Sequence, residues 1–198
     1  WISPPKKFFP VICDLYNELP IITIMKKIPG IPSLNLDKQK AGKDIGRCLV
    51  KSKRKNILYC SFDESIATQI TATLEVLKEN GINSDPAYIT KNWAECESKL
   101  TELLKNNQIP DCVYTHGESI YPILSIFDHC NINSTDKIWF IVEKNAIRNL
   151  KNIKGITMNY PFQEMGKQAA QWMQLMLKDK SLLPDKDLLY EITLNINS

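Results

Sequence analysis

The feature that most restricts this chain is a regular alternation of short, β-branched apolar runs with longer stretches of helical spacing. Helical periodicity begins at Cys13 to Glu18 and gives way to the β-rich run Pro20-Ile21-Ile22-Thr23-Ile24. After a loop broken by Pro29, Gly30 and Pro32, a short strand is predicted over Ser33 to Leu36. Asp37 can cap the next helix, which sets Ala41, Ile45, Cys48 and Leu49 on one face. A buried strand over Asn56 to Ser61 precedes a helix with Ile66, Ile70, Leu74 and Leu77 on one stripe, closed by Asn80-Gly81. The unit then recurs. Strands are predicted over Ala87 to Thr90, Cys112 to Thr115, Ile138 to Val142 and Gly155 to Met158. The first two precede helical stripes at Trp93, Cys96, Leu100, Leu103 and Leu104, and at Ile120, Ile123, Leu124 and Phe127. The others precede a short helix over Ile147 to Leu150 and a long one over Phe162 to Lys178. Leu188 to Leu194 is read as a closing strand. Strand then helix, this many times over, implies an α/β protein whose parallel sheets are flanked by helices on both faces.

No Gly-x-Gly-x-x-Gly and no Walker loop appears, which disfavours the phosphate-cradling versions of this architecture. With 198 residues, 43% of them hydrophobic, the chain suffices for one good-sized domain or two small lobes. A net charge of +3 is too mild to make nucleic acid or an anionic membrane the main partner of this segment. The run Lys51-Ser52-Lys53-Arg54-Lys55 lacks interleaved aromatics and reads as a solvated loop. No apolar run is long enough to insert in a membrane. Trp1-Ile2-Ser3-Pro4-Pro5 has no signal-peptide pattern, and the missing initial Met is read as a mature or cut product.

Only two histidines are present, His116 and His129, and the six cysteines form no Cys-x-x-Cys pair. No metal site and no cofactor is therefore expected. Cys13, Cys60 and Cys112 sit in apolar runs, so the cysteines are read as small free hydrophobes rather than a disulfide framework.

Ligands of open parallel sheets bind beyond the carboxyl ends of the strands, where loops and helix N-termini gather. The residues that follow the predicted strands are thus the candidates. They are Asp63 and Glu64; His116, Gly117 and Glu118; Glu143, Lys144 and Asn145; and Asn159. Ser3-Pro4-Pro5-Lys6-Lys7 follows an apparent strand at the start. This set orients a polar ligand and contains no nucleophile–base pairing. Each position taken singly also suits helix capping, and convergence on one rim is what would make a site. His116 is the one candidate for acid–base work, with Glu118 nearby in sequence. Trp93 and Trp172 fit helix core faces, while Trp1 and Tyr160 lie near strand ends where an aromatic can stack on a sugar ring.

The order of elements resembles the type I periplasmic-binding-protein superfamily, which includes ribose-binding-type solute-binding proteins and the effector domains of Lac-repressor-type regulators. The segment Asn35-Leu36-Asp37-Lys38-Gln39-Lys40-Ala41-Gly42-Lys43-Asp44-Ile45-Gly46 is similar to the family's Asp followed by a glycine-containing helix. Gln69 to Leu77 sits where the family has Arg-x-x-Gly-Phe and a helix. Pro110 to Glu118 resembles the segment ending in Asn-Asp, Trp139 to Glu143 the strand ending in Gly-Phe-Asp, and Thr157 to Ala170 the entry to the last long helix. The resemblance covers nearly the whole chain and aligns its start inside the first lobe, whose opening units are expected to be missing.

What the resemblance implies is a two-lobed binder with 1–55 and about 144–175 in a partial N-terminal lobe, and 56–143 with about 176–198 in the C-terminal lobe. The family's sugar-gripping Arg corresponds to Gln69, its Asn-Asp pair to Gly117 and Glu118, its acid to Glu143 or a neighbour, its glutamine before the last helix to Asn159, and an acidic first-lobe site falls near Lys6. Loss of the charge-assisted Arg contacts implies a ligand other than a standard pentose or hexose, or a sensor with a degenerate cleft. The expected ligand set is Lys6, Asp63, Gln69, His116, Glu118, Glu143 and Asn159, with no catalytic residue. The expected function is non-enzymatic: a periplasmic protein holding a small polar ligand for a transporter permease or a membrane sensor. That choice rests on Lys51-Ser52-Lys53-Arg54 replacing the Gly-His pair of repressor-type domains, and on the ending Thr193 to Asn197. The alternative is a cytoplasmic effector domain of a Lac-repressor-type regulator. An enzyme of doubly wound fold is a third reading.

Overall fold

The alternating pattern condenses into two sheets of largely parallel strands, with helices interposed between many of the strands along the chain. The computed structural model describes residues 4–60, 64–83, 88–115, 117–133, 137–147, 153–179 and 187–197. The chain divides into two compact units, Trp1–Asp37 with Tyr160–Ile192 and Lys38–Asn159 with Thr193–Ser198.

In the first unit, α1 (Phe9–Glu18) precedes β1 (Thr23–Ile24) and β2 (Ser33–Leu36). The helix starts four residues before the expected Cys13, because Pro10 occupies its first turn, where a missing N–H costs nothing. Strand β2 pairs in parallel with both β1 and β8 (Leu188–Tyr190). Ile12, Ile28 and Ile31 form a small buried cluster with Phe9, Tyr16 and Ile21 against it. Asp187 secures β8 to β2. Its carboxylate accepts from Ser33 Oγ at 2.6 Å and pairs with Lys27, and together the Lys27 ammonium and the Ser33 hydroxyl hold it below the usual carboxylate range. The long α6 (Phe162–Lys178) buries Met165, Trp172 and Met176.

The second unit contains α2 (Lys38–Lys51), β3 (Ile57–Cys60), α3 (Glu64–Glu79), β4 (Ile89–Thr90), α4 (Trp93–Lys105), β5 (Cys112–Tyr114), α5 (Ile120–His129), β6 (Trp139–Glu143), β7 (Gly155–Asn159) and β9 (Thr193–Asn197). Its sheet runs β4-β3-β5-β6-β7-β9, parallel except for the last pair. Leu58, Val113, Phe140 and Val142 from the strands pack on Cys96, Leu100 and Leu104 of α4 and on Ile120, Ile123 and Phe127 of α5. At about 25 cal/mol per Å2 of apolar surface, burial of this kind dominates the stability of a sheet covered by helices.

Two features tie the unit together locally. Helix α2 meets α3 through Gly42 and Gly46, one turn apart. A Cβ on Gly42 would overlap the Gln69 carbonyl oxygen and lie 2.8 Å from Ala72 Cβ, and one on Gly46 would lie 2.7 Å from Val76 Cβ. The two backbones therefore approach more closely than any larger residue allows. Across this seam Thr73 Oγ1 donates to the Gly42 carbonyl at 3.0 Å and to its own Gln69 carbonyl at 2.9 Å. At the start of β3, Asp111 Oδ2 and Oδ1 accept from the backbone N–H groups of Lys55 and Asn56 at 3.1 and 3.2 Å. Arg54 lies with its guanidinium 4.9 Å from the Trp139 ring centre and donates to the Asp111 carbonyl at 3.3 Å. The basic run, expected as a solvated loop, thus lends Arg54 to packing.

Leu188 to Leu194, expected as one strand, is two: β8 joins the first sheet, and β9 runs antiparallel beside β7 in the second. Of the helix expected over Ile147 to Leu150, Ile147 ends a 3-10 turn over Lys144–Ile147 and the rest lies outside the described residues. By contact the units break after Asp37, Asn159 and Ile192, where the resemblance implied 1–55 with about 144–175 and 56–143 with about 176–198. The reason is contact: α2 packs on α3, and β7 extends the ladder of β6. Among the described residues no helix is long and apolar enough to cross a membrane.

Candidate ligand site

Because β3, β4, β5, β6 and β7 are parallel, their carboxyl ends share one edge of the second unit's sheet. That edge is built from Cys60, Thr90, Thr115, Glu143 and Asn159. Register sets their neighbours: Tyr59 lies opposite Tyr114, Tyr114 opposite Ile141, and Glu143 opposite Met158. Thr115 N–H donates to the Ile141 carbonyl at 3.0 Å, which carries the β5–β6 ladder one residue further. The 3-10 turns that follow β5 (Gly117–Ser119) and β6 (Lys144–Ile147) lie against each other.

The candidates read from the sequence fall unevenly on this frame. Glu143 is half-buried at the end of β6, and Asn159 is exposed at the end of β7. Gln69, in the second turn of α3, is buried, and its Nε2 donates to Met158 Sδ at 3.3 Å. The residue before Asn159 is therefore in contact with Gln69. Glu118 stands, by its backbone, in the turn after β5. These four belong to connected segments of one unit. Lys6 is apart from them: it is exposed in a 3-10 turn (Lys6–Phe8) of the first unit. Asp63 and His116 lie outside the described residues, as does Trp1. Tyr160 packs edge-on against Phe162 at 5.4 Å between ring centres, which uses one of its faces within the first unit.

One candidate was missed. Thr115 is fully buried, and its Oγ1 finds no hydrogen-bond partner among the described residues. A buried hydroxyl left unpaired costs about 1–3 kcal/mol, so a native structure normally supplies a partner. At a strand's carboxyl end, a bound polar solute is a suitable one. The available signal was a hydroxyl residue closing an apolar run, Cys112-Val113-Tyr114-Thr115, just before a polar loop.

Chemically the edge offers a hydroxyl, a carboxylate and an amide. The Ser125–His129 pair, on the exposed side of α5, is no catalytic dyad. His129 Nδ1 lies 2.6 Å from the Ser125 carbonyl, which only a protonated nitrogen satisfies, so that nitrogen is not a base for the Ser125 hydroxyl at 3.4 Å. Among the described residues no three His, Cys, Asp or Glu side chains cluster as a metal site. The cysteines are free thiols, with Cys60, Cys96 and Cys112 buried, whereas Cys13, expected inside, is exposed at the surface of α1. Burial pushes the Cys112 thiol far up.

No protein-family model matches the chain, and no curated protein does. Solved structures do. A transcription regulator from Lactobacillus plantarum superposes with a TM-score of 0.80 at 12% identity, over 98% of this chain and 78% of that one. A regulatory protein of the LacI family from Chloroflexus aggregans also gives 0.80, at 13% identity over 98% and 73%. The transcriptional regulator CelR in complex with cellobiose gives 0.77, at 13% identity over 98% and 63%. The fold is that of these regulators, an α/β chain whose parallel sheets are flanked by helices. The edge carrying Thr115, Glu143 and Asn159 is the carboxyl end of the second unit's parallel strands, the end at which open α/β sheets in general bind ligands.

Proposed function

We propose that the chain is the ligand-binding effector domain of a LacI-type transcriptional regulator. It holds a small polar, sugar-like solute and performs no chemistry on it. The observation that carries this reading is the extent of the likeness: regulators match over 90–98% of the chain, and one of them is a complex with cellobiose. The buried Thr115 hydroxyl, which finds no partner among the described residues, supports a bound polar group at the strand edge. In this reading Thr115, Glu143 and Asn159 hydrogen-bond the solute, with Gln69 orienting β7 from below. The protein would act in the cytoplasm, on DNA bound by another part of the same polypeptide.

The exported solute-binding protein expected from the sequence takes second place. It is favoured by Lys51-Ser52-Lys53-Arg54 standing where repressor-type domains carry Gly-His, and by the ending Thr193 to Asn197. The complete reading frame separates the two, since a DNA-binding headpiece upstream favours the regulator and a signal peptide the exported binder.

Thermal-shift assays against a panel of neutral mono- and disaccharides test the binding claim. At least one solute should raise the melting temperature, and Thr115→Val, which keeps shape and removes the hydroxyl, should weaken it roughly tenfold. Failure of every solute, or unchanged binding by Thr115→Val, Glu143→Gln and Asn159→Ala together, would overturn the proposal.

A further inference from the structure

The Cys60 and Cys96 sulfurs lie 3.1 Å apart, both fully buried, at the point where β3 ends and α4 begins its second turn. The separation is well beyond the ~2.05 Å of a disulfide, so the two are thiols in hydrogen-bonding contact. From this juxtaposition we infer that Cys60 and Cys96 are a redox-active pair that a small hydroperoxide converts into an intramolecular disulfide.

Three observations assign the roles. Cys96 belongs to the N-terminal part of α4, where its N–H bonds the Asn92 carbonyl at 3.1 Å and the helix dipole favours an anion. The contact with Cys60 lowers the Cys96 pKa, while Cys60 itself is pushed up by that same contact and by burial. Thr90 flanks both sulfurs. Its Oγ1 donates to the Tyr59 carbonyl at 3.1 Å. Thr90 also lines a surface depression of about 450 Å3 together with Ile89, Ala94, Glu95 and Ser98. Thr90 and Glu95, the residue before Cys96, both belong to the wall of that depression.

The chemistry balances. Cys96 gives up its proton, its thiolate attacks one oxygen of hydrogen peroxide, the O–O bond breaks, and the departing hydroxide takes up that proton and leaves as water while Cys96 becomes a sulfenic acid. Cys60 sulfur then attacks Cys96 sulfur, the S–O bond breaks, and the Cys60 proton leaves with the hydroxyl as water. Two thiols are oxidised by two electrons, and one peroxide is reduced to two waters.

The test uses the wild-type chain and hydrogen peroxide, followed by maleimide blocking, proteolysis and mass spectrometry. The expected product is a cross-linked peptide pair containing Cys60 and Cys96, lighter by two hydrogen atoms and restored by dithiothreitol. Cys112, buried with no thiol beside it, should stay reduced. Cys60→Ser should leave Cys96 as a sulfenic acid that dimedone traps, and Cys96→Ser should abolish the cross-link. Peroxide that oxidises the exposed Cys13 and Cys130 while Cys60 and Cys96 remain maleimide-reactive after unfolding would overturn the inference, as would a disulfide between other cysteines.

Discussion

The seam between α2 and α3 makes one substitution change sign with its location. Gly→Ala in a helix interior normally stabilises by about 1 kcal/mol, through propensity and the narrower unfolded ensemble. At Gly166 on α6 nothing lies within 4 Å of the new methyl, so Gly166→Ala should gain close to that amount. At Gly42 the same methyl overlaps the Gln69 carbonyl, a backbone atom that no rotamer can move. Overpacking of this kind costs about 1–3 kcal/mol. Separation of the helices also breaks the Thr73-to-Gly42 hydrogen bond, worth about 1 kcal/mol. Set against the propensity gain, Gly42→Ala should destabilise by about 1–3 kcal/mol. For a chain of this size that is a fall in melting temperature of roughly 3–10 °C, while Gly166→Ala should raise it by about 2–4 °C. Circular dichroism on urea and thermal unfolding of both variants reads the pair. A Gly42→Ala protein as stable as the wild type would refute the claim that the helices touch through their backbones.

Other outcomes follow from single contacts. Asn92 Oδ1 accepts from Glu95 N–H at 2.9 Å, and the Glu95 carboxylate accepts from Lys91 N–H at 2.8 Å, a reciprocal cap at the start of α4. Asn92→Ala should cost about 1 kcal/mol in the same denaturation assay, and Asn92→Ser much less. Asp187 is held below its ordinary pKa, so the stability it contributes is present above the unfolded carboxylate value of about 3.9 and is lost as pH falls through the lower folded value. Unfolding followed between pH 3 and pH 7 should therefore show less acid sensitivity in Asp187→Asn than in the wild type. Arg54→Lys keeps the charge but loses the planar fork and the stacking on Trp139, and should lower stability without altering net charge.

Local pattern alone determined much of this protein. The stripes Ala41, Ile45 and Leu49, then Ile66, Ile70 and Leu77, then Cys96, Leu100 and Leu104 are buried as their spacing requires. Strand–helix repetition was enough for a layered parallel architecture, because helical and strand periods are visible within a few residues. Asn159 and Glu143 were legible as strand-end residues for the same reason. Pairing between distant segments left no such mark. That Leu188 to Leu194 divides between two sheets, that Gly42 faces Gln69, that Cys60 meets Cys96 and that Thr115 Oγ1 finds no partner among the described residues all depend on which residues far apart in the chain become neighbours. Periodicity reports only which face of an element avoids water. Tertiary packing decides what that face meets, and both the ligand edge and the dithiol are products of that second choice.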